Sequence, residues 1–292
     1  MKRKIKLTVG LCVKNAEATV GEAVDSILNQ DFPHELMELI VVDGYSKDRT
    51  LDIIKNKLRD SKIKLRIFCE QKGLAYARQI VVDNAQGDYI IWVDADMILS
   101  RDFARKQVSF MENNPKVGIA KGRYEMLKGN SLVATLEDTE FFLSFRREGK
   151  AKVTSLGASG CIYRVEAIKQ VGGFDLNIKG AGEDLDIENR IKSAGWSLYI
   201  TSAVFYEKRR ETWKSLWNEY FWHGKGAAYS FKKNRKVINT YKMLPPVAIF
   251  MELLRVPIAY KLTRNMKVLL LPLHYVFKRI AWFLGFVKGS FK

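Results

Sequence analysis

Cysteine is scarce: Cys12, Cys69 and Cys161 are the three in 292 residues, and no two stand in a CxxC. That excludes a disulfide framework or a four-ligand zinc site as the organising principle. Each lies in an apolar run, which predicts small buried hydrophobes and a reducing compartment. The first twenty residues lack a long apolar core and a small-residue cleavage site, so no secretory signal is expected. No GxGxxG follows the first expected strand, which disfavours a dinucleotide-binding domain. The tail's apolar runs, MLPPVAIFM (243–251) and VLLLPLHYVF (268–277), stop at nine and ten residues, short of the roughly 20 that span a bilayer. What is present is 47% hydrophobic and 28% charged residues, a balance that fits neither disorder nor a polytopic membrane protein.

The net charge of +17 is unevenly spread. Residues 205–292 hold 18 Lys and Arg against 4 Asp and Glu, whereas residues 1–204 hold 31 against 28. The last third is therefore basic, aromatic and apolar at once, and attracts an anionic surface. Its apolar runs favour phospholipid over nucleic acid, and no nucleic-acid partner is expected. Lys267, His274, Lys278, Ala281, Gly285 and Lys288 recur at helical spacing within 265–289 and draw a narrow polar stripe on an otherwise apolar helix. Pro272 is placed to kink it. Such a helix lies in a membrane interface with its basic side chains at the headgroups; a true span, or a helix packed on its own protein, stays open. WKSLWNEYFWHGKG (213–226) adds interfacial aromatics.

Along residues 5–94, short apolar runs alternate with helical spacing. Strands are expected at 5–13, 38–43, 63–69 and 89–94, and helices at 16–30, 48–58 and 74–85. This alternation implies right-handed βαβ units and a mostly parallel sheet, an α/β fold with ligands beyond the carboxyl ends of the strands. Those ends carry Lys14 and Asn15, Asp43, Glu70 and Asp94.

Two carboxylate groups stand out. Asp94-Ala95-Asp96 follows a strongly hydrophobic strand, and oxygen ligands so spaced suit Mg²⁺ or Mn²⁺ bridging phosphate oxygens; the alternative is strand termination or a helix cap. Gly182-Glu183-Asp184-Leu185-Asp186 opens a helical segment, where acidic residues either complement the helix dipole or supply a general base.

Taken in order, VVDGYSKDRT (41–50), GLAYARQ (73–79), Asp94-Ala95-Asp96, SGCIYR (159–164), GGFD (172–175) and GEDLDIENRI (182–191) resemble glycosyltransferase family 2 over about residues 5–205. The resemblance implies a GT-A fold, a Rossmann-like mixed, mostly parallel sheet flanked by helices, and inverting transfer from a nucleotide-diphospho-sugar. It implies a catalytic domain over 1–205 and a basic C-terminal helical region over 206–292 that associates with a membrane. It places Val13, Lys14 and Asn15 against the nucleoside and Asp43 on the base with Ser46. Gly73 and Arg78 hold the nucleotide, and Asp94 lies near the ribose with Ala95, Ser159 and Gly160 in the donor site. Asp96, with Asp94, ligates Mg²⁺ or Mn²⁺. Asp184 is the catalytic base, with Glu183 on the acceptor side; toward a phosphate acceptor Asp184 would orient rather than deprotonate.

The chain reads VVDGYS where the family commonly has VVDDGS. It has Tyr206 and Glu207 where a His is frequent, with His223 as a distant substitute, and no QxxRW follows Asp184, which favours single addition. The implied partners are a UDP- or GDP-sugar, a lipid-linked acceptor and an anionic membrane surface at the cytoplasmic face, reached peripherally or monotopically through the tail. A soluble or protein acceptor is the alternative; a non-enzymatic nucleotide or nucleic-acid binder fits two separated carboxylate clusters poorly.

Overall fold

Four strands of almost unbroken aliphatic and aromatic residues open the fold: β1 (Leu7–Val13), β2 (Met37–Asp43), β3 (Lys64–Cys69) and β4 (Tyr89–Val93). Helices α1 (Val20–Leu28), α2 (Thr50–Leu58) and α3 (Leu74–Asn84) return the chain between them. β2 and β4 are buried along their whole length and β1 nearly so, as expected of parallel strands covered on both faces. The boundaries lie within a few residues of those read from the sequence. The computed structural model describes residues 4–127, 131–151, 155–178, 180–233 and 245–291.

The remaining strands are β5 (Met97–Leu99), β6 (Val117–Tyr124), β7 (Gly149–Lys150), β8 (Cys161–Arg164) and β9 (Ser197–Glu207). The sheet order is β3-β2-β1-β4-β8-β6-β9-β5, with β7 alongside β9. Pairing is parallel from β3 through β4, as expected. Beyond β4 the sheet is mixed: β8 runs antiparallel to both β4 and β6, β5 and β7 run antiparallel to β9, and β6 and β9 are parallel. Helices α4 (Phe103–Asn113), α6 (Val165–Gln170) and α7 (Glu183–Ser193) complete the layers.

The chain divides into two compact units. One comprises the residues up to Glu125 with Arg147–Asn177 and Glu183–Glu207, and holds the whole sheet. The other comprises Met126–Arg146, Ile178–Gly182 and Lys208–Lys292. The expected domain boundary at 205/206 falls at the end of β9; α5 (Leu132–Phe145) belongs with the C-terminal helices.

The second unit consists of α5, α8 (Trp213–Lys233), α9 (Pro245–Thr263), a 3-10 turn at Met266–Leu270 and α10 (Leu271–Ser290). The expected run MLPPVAIFM lies partly outside the described residues; from Pro245 it is helix. Pro272 sits in the first turn of α10, where its missing N–H costs nothing, so it starts the helix rather than kinking it.

The polar stripe of α10 is reversed from expectation. His274, Lys278, Ala281 and Gly285 form the buried face, while Leu273, Ile280, Phe283 and Leu284 are exposed; only Lys267 and Lys288 at the ends reach solvent. The reason lies on the neighbouring helices. Lys278 donates to Glu137 at 2.8 Å, to Glu140, and to the Tyr220 hydroxyl at 3.0 Å, and Tyr220 in turn donates to Glu137 at 2.6 Å. His274 Nε2 lies 3.1 Å from Glu137. Glu137, Glu140 and His274 bring ligand-type atoms within 4.8 Å of one another, but the cation among them is the Lys278 ammonium. Burial opposes ionisation of Glu137, yet Lys278 and His274 outweigh it and hold the carboxyl below its usual range. Gly224 and Gly285 complete the fit, since a Cβ on either would overlap the facing backbone of α10 or α8.

Candidate active site

The site residues read from the sequence lie in the sheet-bearing unit, mostly at the carboxyl ends of its first four strands. β1 ends at Val13, which is buried, and passes into exposed Lys14 and Asn15. Asn15 is left-handed (φ 49°) and is held there from both sides. Its N–H donates to Ser46 Oγ at 2.9 Å and its Oδ1 accepts from the Lys47 N–H at 2.8 Å. Asp43 ends β2; it is 2% exposed and accepts from the Ser46 N–H at 2.9 Å, while its other oxygen, Oδ1, has no partner among the described residues. The β1 and β2 ends are tied directly by Gly44 N–H to Val13 O at 2.8 Å. Gly73 opens α3 with φ 128°, a conformation that favours glycine, and donates to Glu70 at 3.0 Å.

A second set surrounds Arg78. Its guanidinium is 4% exposed, pairs with Glu183, lies 3.9 Å from Asp94 and stands over the Trp92 ring at 5.7 Å. Burial alone would lower its pKa, but the carboxylates of Glu183, Asp184 and Asp94 outweigh burial and raise it. Glu183 is itself almost fully buried, and burial lifts its carboxyl to about 7 in spite of Arg78. Glu183 is thus turned into the unit, while Asp184, one residue on, is half-buried. Burial also pushes the Cys12 thiol up to about 12, within the field of Arg78, Asp94, Glu183 and Glu70.

The loop 155–160 joins the two carboxylate groups. Ser159 Oγ donates to Asp94, and the Ala158 N–H donates to Asp184 at 3.3 Å. Gly160, left-handed at φ 67°, hydrogen-bonds the Trp92 carbonyl at 3.1 Å; a Cβ there would strike the Phe205 ring. Asp184 Oδ1 accepts from the Leu185 N–H at 2.8 Å, at the start of α7. Asp94, Ser159, the 157–159 backbone and Asp184 therefore form one connected rim, with Arg78 and Glu183 behind it. Ala95 and Asp96 make the turn between β4 and β5, closed by Met97 N–H to Asp94 O at 3.1 Å. Across the sheet, Met97 pairs with Glu207 and Ile98 with Tyr206, so Glu207 brings a third carboxylate beside this turn. Carboxylate oxygens alone are the donor set that suits Mg²⁺ or Mn²⁺.

Several residues that build the rim escape sequence reasoning. Glu188, 4% exposed, accepts from Ser155 Oγ and the Leu156 N–H, both at 2.8 Å, and burial raises its carboxyl to about 7. Its spacing four residues after Asp184 on α7 was the available signal. Lys121, buried within β6, donates to the Ser159 carbonyl; a lysine inside an apolar strand was its signal. Gln79 accepts from the Phe174 N–H at 2.8 Å and lies where a Cβ on Gly173 would be, which ties GGFD to α3. The thiols depart from expectation: Cys161 is buried, but Cys12 is half-buried and Cys69, ending the partly exposed strand β3, is exposed.

The chain is 35% identical over 129 residues to an uncharacterized glycosyltransferase of Haemophilus influenzae, covering 43% of this chain and 50% of the relative. It is 24% identical over 241 residues to the probable glycosyltransferase YdaM of Bacillus subtilis, covering 78% of this chain and 57% of the relative. The chain spans about half the length of these curated relatives. Among solved structures, the mannosyltransferase PcManGT from Pyrobaculum calidifontis, in complex with GDP-Man and Mn²⁺, matches with a TM-score of 0.69 at 19% identity, over 98% of this chain and 87% of that one. That likeness shows a shared GT-A fold. The model of glycosyl transferase family 2 matches residues 8–172, more than half of the chain, and the protein belongs to that family.

Proposed function

We propose that the protein transfers one sugar from a UDP- or GDP-sugar to a lipid-linked acceptor, with inversion, at a membrane surface. The observation that carries the reading is the connected rim of Asp94, Ser159 and Asp184, which brings both carboxylate groups to one edge of the sheet. Asp43, Asn15 and Ser46 receive the nucleoside, with Val13 and Lys14 beside them. Gly73 leaves room for the diphosphate, and Arg78 supplies fixed positive charge behind it. Asp96 and Asp94 would hold Mg²⁺ or Mn²⁺, and a cation there would supply positive charge to offset the negative charge developing on the departing diphosphate.

Asp184 takes the proton of an attacking hydroxyl, and its hydrogen bonds to Ala158 and Leu185 aim the carboxylate. Toward a lipid phosphate, already an anion, it orients the acceptor. Glu183 holds Arg78 in place rather than meeting the acceptor, because its side chain is buried.

The lipid-linked acceptor is supported by the helical unit. Leu253, Leu254 and Ile258 on α9, Met266, Leu269 and Leu270 on the turn, and Leu273, Phe283 and Leu284 on α10 are all exposed. Residues 205–292 carry 18 basic against 4 acidic residues, complementary to anionic headgroups. The stretch Met266–Ser290 is long and apolar enough to cross a bilayer. Its inward Lys278 and His274 favour lying on the membrane as part of its unit, at the cytoplasmic face.

The test is transfer of radiolabelled sugar by the full chain to polyprenyl phosphate in anionic vesicles, with Mn²⁺. Asp96→Ala is expected to abolish transfer with its circular dichroism unchanged, and Asp184→Asn to lower turnover on the order of 10²–10⁴-fold toward a hydroxyl acceptor. Transfer that persists undiminished in Asp96→Ala, or without divalent metal, overturns the metal role. Transfer only to soluble saccharides overturns the lipid acceptor.

A further inference from the structure

Loop 155–160 meets both carboxylate groups of the rim, yet it holds neither helix nor strand. Two adjacent residues make the contacts: the Ala158 N–H donates to Asp184, and the Ser159 hydroxyl donates to Asp94. Gly157 passes close by in a left-handed conformation (φ 67°), and a Cβ there would stand 3.7 Å from Asp184 Oδ2. A drift of this loop therefore moves the partners of both carboxylates together. Whatever fixes the loop is part of the geometry of the site.

Its end is fixed by the sheet. The Gly160 N–H donates to the Trp92 carbonyl at 3.1 Å, the Gly160 carbonyl accepts from the Gly122 N–H at 2.8 Å, and Lys121 of β6 donates to the Ser159 carbonyl. Its start is held by Glu188. One carboxylate oxygen, Oε2, accepts from both Ser155 Oγ and the Leu156 N–H at 2.8 Å, and Ser155 Oγ accepts in turn from the Gly157 N–H at 3.1 Å. Glu188 follows Asp184 by four residues on α7, so the two side chains leave one face of the helix a turn apart. A single helix thus carries the candidate base and the anchor of the loop that aims it. We propose that Glu188 is a positioning residue for sugar transfer: by fixing the start of loop 155–160 against α7, it sets Asp184 and Asp94 in register with each other. This assignment rests on the transfer reading above and adds to it a residue that touches neither donor nor acceptor.

Glu188→Ala and Glu188→Gln in the full chain test it, because the glutamine amide oxygen can accept the same two hydrogen bonds. Turnover is measured with UDP- and GDP-linked hexoses and Mn²⁺, on polyprenyl phosphate in vesicles and on soluble saccharides. Glu188→Ala is expected to lower kcat about ten- to a hundred-fold with donor KM little changed, the scale of loss that a small misplacement produces. Glu188→Gln should recover most of it. In an Asp184→Asn background, Glu188→Ala should cost much less than in the native chain, since it acts through that carboxylate. Hydrogen exchange reads the loop without turnover: peptides covering 155–160 should exchange faster in Glu188→Ala and at the native rate in Glu188→Gln, with β1 and β2 equally protected in all three. Unchanged exchange at 155–160, a loss in Glu188→Gln equal to that in Glu188→Ala, full additivity with Asp184→Asn, or a raised donor KM at native kcat each overturns the positioning role. A native chain that transfers no sugar overturns the transfer reading and the catalytic role with it, while the exchange rates still decide whether Glu188 holds the loop.

Discussion

Glu183 and Glu188 face the same problem with different partners. Both are buried carboxyls raised from an ordinary 4.5 to about 7, Glu183 against Arg78 and Glu188 against the N–H and hydroxyl donors of loop 155–160. A carboxyl whose folded pKa is raised keeps its proton in the fold after the unfolded chain has released it. Its contribution to stability is therefore complete below about pH 4.5 and is lost as pH rises through 7. Glu188→Gln, neutral throughout, should melt with a flatter pH profile than the native chain between pH 5 and 8. Thermal melts across that range check this, and parallel profiles would show that Glu188 does not titrate there. Tyr45 belongs at the same scale: its backbone is left-handed (φ 58°), and relief of that conformation in Tyr45→Gly should appear in the same melts as a gain of about 1 kcal/mol, offset in part by glycine's greater freedom when unfolded. Tyr45 does not stand out in the sequence, and Glu188 does so only by its spacing from Asp184, because an acidic residue on a helix and a tyrosine in a turn are ordinary until their surroundings are known.

At the scale of the element, α10 shows how a helix chooses its buried face. Its apolar positions outnumber its polar ones, and hydrophobicity alone would turn Leu273, Phe283 and Leu284 inward. Two features reverse this: the carboxylates of Glu137 and Glu140 on α5 capture Lys278, and Gly224 and Gly285 let α8 and α10 touch. Removing the cation alone leaves buried charge uncompensated, so Lys278→Met should cost about 3–5 kcal/mol. The triple variant Glu137→Leu, Glu140→Leu, Lys278→Met should recover much of that loss, since an apolar set of similar volume carries no desolvation penalty. Chemical denaturation in detergent measures both. Equal stability of native chain and Lys278→Met would show that the cluster does not set the packing. The periodicity of the stripe was legible beforehand, but not its direction, because a period is the same whether a face points in or out.

For the whole molecule, the proposed membrane contact is tested through the unevenly spread charge and the exposed apolar side chains. Flotation with vesicles rich in anionic lipid should carry the native chain, and less of it as salt rises. Leu273→Glu with Leu284→Glu should reduce that binding several-fold without lowering the melting temperature, because both side chains are already in solvent. Unchanged flotation would place the membrane contact elsewhere. The sheet shows the same division between local and distant information. β1 through β4 were readable because buried parallel strands are continuous apolar runs separated by helical spacing. The antiparallel β8, and β9 with its bulged pairing to β6, were not, since their neighbours lie far away in sequence.

Local pattern alone determined the α/β class, the parallel half of the sheet, both carboxylate groups and the basic tail, because hydrophobic period and turn chemistry act over a few residues. Only the tertiary structure decided that Glu183 turns inward to Arg78 while Asp184 meets loop 155–160, that Tyr45 stands strained in the loop after β2, and that α10 hides its charges. Each of those outcomes depends on which partner waits across a fold-sized separation in sequence, and a buried charge or a strained backbone is settled by that partner rather than by the residue itself.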